Sequence, residues 1–133
     1  MFDLVVRGGT LPDGRVADIG IRQGRIAAIE RLPADVAAGE VIEAAGDLVA
    51  PPFVDPHFHM DATLSYGRPR INASGTLLEG IALWGELKAE QTADEVKARA
   101  LEYCDWAASR GLLAIRSHVD TCDDTLTGVA ALL

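Results

Sequence analysis

Three histidines, His57, His59 and His118, hold most of the reactive potential of this 133-residue chain. His57 and His59 are separated by Phe58 alone. On an extended backbone, residues i and i+2 project to the same side. The two imidazoles can therefore converge on one cation at about 2.0–2.1 Å, while Phe58 turns the other way into the core. Imidazole nitrogens suit Zn, Fe, Ni or Cu. Asp61 shares that face where the strand runs on to it. There it would ligate the cation, or accept a hydrogen bond from a ligand's second ring nitrogen. His118 and Asp120 form a second same-facing pair, placed to touch a substrate, to support the first pair, or simply to hydrogen-bond their own loop. A bare His-x-His is a weak signal, because solvated and core histidine pairs arise often by chance. Its setting strengthens it, since it follows Pro51-Pro52 and the apolar Phe53-Val54 step, directly after a β-rich segment.

Two textures position these groups. Residues 1–50 form the first, rich in Gly, Val, Ile and Ala, with strands predicted at 2–6, 18–22 and 25–29. Arg7-Gly8-Gly9 is expected to end the first strand, and Leu11-Pro12-Asp13-Gly14 to form a turn. Residues 18–29 read as a hairpin about Gln23-Gly24, with short strands following at 41–42 and 47–49. A small antiparallel sheet with a structural role is the expectation.

Residues 51–133 read differently. A strand leads into His57, and apolar spacing through Leu77, Ile81, Trp84 and Leu87 predicts a helix over 76–90. Thr92 and Glu95 form a capping box. It opens a helix running to Arg110, with an apolar face of Val96, Ala100, Tyr103, Cys104 and Ala107. Gly111 is its stop. Residues 112–116 form a strand that ends at His118, and Asp123 or Asp124 is expected to cap a last helix over 125–133. Strand, helix, helix, strand, helix implies an α/β fold with a parallel sheet, whose functional groups gather at the carboxyl ends of its strands.

Composition narrows the function. Twelve Lys and Arg against twenty Asp and Glu give a net charge of −8 with no basic run, which argues against nucleic acid. No stretch approaches the ~18 unbroken apolar residues of a membrane span. The N-terminus lacks the features of a secretory signal. Cys104 and Cys122 have no Cys-x-x-Cys spacing and read as thiols of a cytoplasmic protein. There is no phosphate-binding glycine motif. A (β/α)8 barrel needs about 250 residues, with roughly 200 as a floor, so 133 residues cannot close one.

The run Leu48-Val49-Ala50-Pro51-Pro52-Phe53-Val54-Asp55-Pro56-His57-Phe58-His59-Met60-Asp61 resembles the opening of the amidohydrolase superfamily. Ser74-Gly75-Thr76-Leu77-Leu78-Glu79-Gly80-Ile81 with Trp84, and then Arg116-Ser117-His118-Val119-Asp120, resemble the cytosine deaminase branch in particular. The resemblance spans nearly the whole chain. It implies that residues 1–50 are part of a small β-sandwich. Residues 51–133 would be the first strands and helices of an incomplete (β/α)8 barrel. It implies that His57 and His59 are ligands of a divalent Zn or Fe ion. It also implies that Leu77 lies in a segment lining a pyrimidine pocket; the strand-face reading adds His118 and Asp120 as candidate substrate contacts and Asp61 as support for a ligand. The family's remaining ligands and proton-transfer groups have no counterpart here, because every histidine is already assigned. No catalytic acid or base is therefore expected within these residues.

Three readings follow. The first is metal-dependent hydrolytic deamination of a cytosine-like pyrimidine or related heterocycle. The second is the same metal site acting on a cyclic amide or N-alkyl triazine. The third is a non-catalytic fragment that packs on a partner chain, the remainder of the barrel or another copy of itself. A parallel sheet of two strands leaves an unpaired edge, so a stable monomer in size-exclusion chromatography would contradict the expected need for a partner.

Overall fold

A computed structural model describes residues 1–122 and 124–133. The chain divides into two compact units, Met1–Pro51 and Pro52–Leu133.

The first unit is a four-stranded sheet in the order β3-β2-β1-β4, built from β1 (Phe2–Thr10), β2 (Val16–Arg22), β3 (Arg25–Glu30) and β4 (Ala38–Glu43). Two features depart from the sequence expectation. First, β1 does not stop at Arg7-Gly8-Gly9 but runs on to Thr10 through a bulge, where its register against β2 shifts between Val6 and Gly9. Gly8 supplies the positive φ of +62° that such a bulge demands. A Cβ on Gly9 would meet Val49 Cγ2 at 2.5 Å, so this glycine also admits a close neighbour.

Second, the sheet is mixed. β4 pairs with β1 in parallel, and residues 47–49 contribute only an isolated bridge, Thr10 to Leu48. Residues 31–37 carry the chain from one edge of the sheet to the other. The crossing passes three strand spacings, about 15 Å, well within the reach of an extended seven-residue link. Because the link crosses instead of reversing, β4 keeps the direction of β3. Arg7 anchors it by donating to the carbonyls of Leu32 (3.2 Å), Pro33 (2.8 Å) and Ala34 (3.3 Å). Asp18 receives the same arginine at 3.0 Å and the amide N–H groups of Gly8 and Leu32. These donors, Gly8 first, hold its carboxyl below the usual aspartate range. The core beneath is Leu11, Ala17 and Ile19, with Val6, Ile21 and Val49 against them.

The second unit follows the order strand, helix, helix, strand, helix: β5 (Phe53–His59), α1 (Leu77–Glu90), α2 (Ala93–Ser109), β6 (Leu112–His118) and α3 (Thr127–Leu132). β5 and β6 pair in parallel. Thr76 caps α1 by accepting from the Glu79 amide. Thr92 and Glu95 complete the capping box of α2. Gly111, at φ +78°, follows the end of α2, as its sequence position demands.

The buried side of α1 is Leu83 and Leu87, whereas Leu77 and Ile81 are exposed. On α2, Val96, Ala100 and Ala107 are buried as expected, and Cys104 is exposed. α3 begins later than expected, with Leu126 in its N-cap position and no side-chain cap. Asp124 therefore does not cap it, and Asp123 lies outside the described residues. Phe53, Val54 and Leu113 on the two strands are 71%, 63% and 66% exposed. Parallel strands are normally covered on both faces.

Candidate metal centre

Pro56 has no N–H to give to a ladder, and β5 bulges around it. The register steps from Asp55 opposite Ile115 to Phe58 opposite Ser117, three residues against two. The His57 amide donates instead to Asp55 Oδ1 at 3.0 Å. Past the bulge, Phe58 stacks on Tyr103 of α2 with ring centroids 4.3 Å apart. The rings of His57 and His59 lie only 5.5 Å apart, tilted by 46°, which i and i+2 side chains achieve only from one side of the strand. His118 sits opposite His59 in the register. All three histidines thus gather at the carboxyl ends of two parallel strands.

Ring geometry separates their roles. Two imidazoles bound through nitrogen to one cation at about 2.1 Å and a tetrahedral angle have centroids about 5 Å apart. The 5.5 Å of His57 and His59 is near that separation, and the 5.9 Å of His59 and His118 is not far from it. His118 stacks on His57 at 3.9 Å and 17°, too close and too parallel for the two to point nitrogens at the same ion. Its Nδ1 is buried without a hydrogen-bond partner among the described residues.

β5 ends at His59, so Asp61 does not continue the strand face. A 3-10 turn (Met60–Ala62) swings it back beneath the histidines. Asp61 is 1% exposed. Its Oδ2 accepts the Asp120 amide at 2.9 Å. Its Oδ1 is buried with no hydrogen-bond partner among the described residues and lies 3.7 Å from His59 Nδ1. That is too long for a hydrogen bond, so the carboxylate oxygen faces the ring without yet engaging it.

Asp120, expected from sequence to face substrate, has its carboxylate filled by protein donors. Oδ2 accepts from Trp84 Nε1 at 2.6 Å and Lys88 Nζ at 2.8 Å, and Oδ1 accepts the Cys122 amide at 2.8 Å. The Lys88 ammonium first, and then the Cys122 amide, hold its carboxyl well below the usual range. Leu77 is not gathered into this cluster; it opens α1 at 79% exposure.

Arg99 went unremarked in the sequence. It is 7% exposed on the apolar side of α2. Its Nε donates to the Thr63 carbonyl (3.0 Å), and its Nη2 donates to the Asp61 carbonyl (3.2 Å) and to Gln91 Oε1 (2.8 Å). Burial lowers its pKa. The available signal was a charged residue three positions after Val96, on an otherwise apolar stripe. Trp84 and Lys88 carried a similar signal: at i and i+4 on one helix, they reach a common acceptor.

Among the described residues, no three or more His, Cys, Asp or Glu side chains come together in a group that could hold a metal ion. The donors present fit a divalent cation as part of its coordination: two converging imidazoles, with a buried carboxylate oxygen left unpartnered behind one of them.

Comparison with known proteins agrees with this architecture. Residues 40–132 match the model of the amidohydrolase family. Across 124 residues the chain is 35% identical to the N-isopropylammelide isopropyl amidohydrolase of Pseudomonas sp. (strain ADP), covering 90% of this chain and 30% of that protein. It superposes on the 5-methylcytosine deaminase of Klebsiella pneumoniae, solved with 5-fluorocytosine, with a TM-score of 0.86 at 35% identity, covering 96% of this chain and 32% of that one. The N-isopropylammelide isopropylaminohydrolase of Burkholderia multivorans ATCC 17616 superposes with a TM-score of 0.74 at 26% identity, covering 99% of this chain and 33% of that one. The chain thus spans about a third of the length of these relatives. A β-sheet unit followed by parallel βα units is the N-terminal architecture of such hydrolases, and with the family model matched over most of its length, the chain belongs to the amidohydrolase family.

Proposed function

We propose that this chain supplies two metal-binding histidines to a hydrolase that removes the exocyclic amine of a cytosine-like ring. The observation that carries the reading is the pairing of His57 and His59 on one side of β5, 5.5 Å apart, with the buried Asp61 Oδ1 3.7 Å behind His59. His57 and His59 would hold a divalent ion, Zn or Fe. Bound there, such an ion is a Lewis acid that brings the pKa of water toward about 7. Asp61 would orient the His59 ring by accepting from Nδ1 once the two draw within hydrogen-bond distance, leaving Nε2 for the ion. His118 stacks flat on His57 and limits how that ring can turn. A pyrimidine substrate is supported by the likeness to the 5-methylcytosine deaminase over 96% of the chain.

A second reading, hydrolytic displacement of an alkylamine from an N-alkyl triazine, is favoured by the 35% identity to the isopropylammelide hydrolase over 90% of the chain. Ammonia release from cytosines, set against isopropylamine release from N-isopropylammelide, separates the two. The exposed apolar residues Phe53, Val54 and Leu113 further support a need for cover by additional polypeptide.

The metal reading is tested by elemental analysis of the protein and of a His57→Ala/His59→Ala variant after incubation with Zn2+. The expected result is bound metal in the first and its loss in the second; equal content in both would refute the assignment.

A further inference from the structure

Resting on the metal reading of His57 and His59, we propose that Asp120 is a positioning residue that locks Asp61 behind His59, and that Trp84 and Lys88 of α1 are the clamp that holds Asp120. The argument follows the contacts outward from the ring. Asp61 has two oxygens with different surroundings: Oδ2 takes the Asp120 amide at 2.9 Å, and Oδ1 has no hydrogen-bond partner and faces His59 Nδ1 at 3.7 Å. Which oxygen faces the histidine is therefore decided by where the residue-120 backbone lies. That backbone belongs to the irregular stretch after β6, which has no ladder to hold it.

Its restraint comes from its own side chain. The Asp120 carboxylate is tied to α1 by the Trp84 indole at 2.6 Å and the Lys88 ammonium at 2.8 Å, and to its own loop by the Cys122 amide. The Lys88–Asp120 pair is largely withdrawn from water, with 15% and 21% of the two side chains exposed, so it is screened less than a surface pair. The third side is closed by α3. It packs this closely because residue 128 is glycine: a Cβ there would lie 3.1 Å from Asp61 Cβ and 3.0 Å from Val119 Cγ1. One residue thus acts at both ends: its side chain reads the position of α1, and its backbone sets the carboxylate behind the candidate ligand.

The test uses Lys88, which lies outside the histidine pair, in three forms of the protein: unaltered, Lys88→Met, and Lys88→Arg, which restores a charged donor. Zn2+ affinity is measured by calorimetry, and the His59 tautomer of the metal-free protein by long-range 1H–15N NMR. Lys88→Met is expected to weaken Zn2+ binding about tenfold, the lower end of what outer contacts to a ligand contribute. It is also expected to shift His59 away from the Nδ1–H form, with Lys88→Arg recovering most of both. If Lys88→Met lowers only thermal stability and leaves Zn2+ affinity and tautomer unchanged, the clamp is purely structural and the proposal is overturned. If the tautomer responds while none of the three proteins binds Zn2+, the positioning role stands and the metal reading of His57 and His59 falls.

Discussion

Replacing Arg99 with Met removes a buried guanidinium while keeping most of the apolar stem that packs along α2. Three hydrogen bonds vanish, to the carbonyls of Thr63 and Asp61 and to Gln91 Oε1. Asp61, Thr63 and Gln91 are themselves 1%, 6% and 9% exposed, so water has little access to the acceptors left behind. Each orphaned buried acceptor costs about 1–3 kcal/mol, and three together cost on the order of 5 kcal/mol. Against this stands the relief of a desolvated charge whose Nη1 already lacks a partner. Removing one such unpaired donor and its charge returns about 2 kcal/mol. The net loss expected is about 3 kcal/mol, a midpoint shift of about 2 M urea for a unit of this size. Both tryptophans, Trp84 and Trp106, lie in the second unit, so fluorescence during urea unfolding reports on that unit by itself. A loss below about 1 kcal/mol would show that the carbonyls of the 3-10 turn find other partners and that Arg99 does not hold the turn carrying Asp61.

Two further outcomes follow from local contacts. Thr92→Ala breaks the capping box that opens α2 and should cost the second unit about 1 kcal/mol, again read by urea unfolding. Asp18 has a carboxyl depressed in the folded state by the Gly8 and Leu32 amides and Arg7. Its contribution to the first unit is therefore complete above the ordinary value of 3.8 and is lost as pH falls below it. Asp18→Asn should flatten the acid limb of a stability profile below that pH, and hydrogen exchange of the β1 and β2 amides reports it.

Where the sequence by itself was decisive, the cause was local. The period of two through His57, Phe58 and His59 settled which rings share a side, and the structure places Phe58 on Tyr103 and the two imidazoles together. The Thr92-Glu95 box and Gly111 marked the ends of α2, because capping is a contact between residues three or four apart. The order of elements implied the parallel pairing of β5 and β6.

What the sequence left open depended on partners distant in the chain. The direction of β4 was set by a link that crosses the sheet and is held by Arg7, more than twenty residues away. The buried side of α1 proved to be Leu83 and Leu87, because helical spacing identifies possible faces and only the neighbouring elements select one. Asp61 reached His59 through a 3-10 turn and not along a strand, and Asp120 found Trp84 and Lys88 over thirty residues back. These are contacts between side chains that no periodicity relates. Their energies exist only once two parallel strands and two helices have brought the groups within reach.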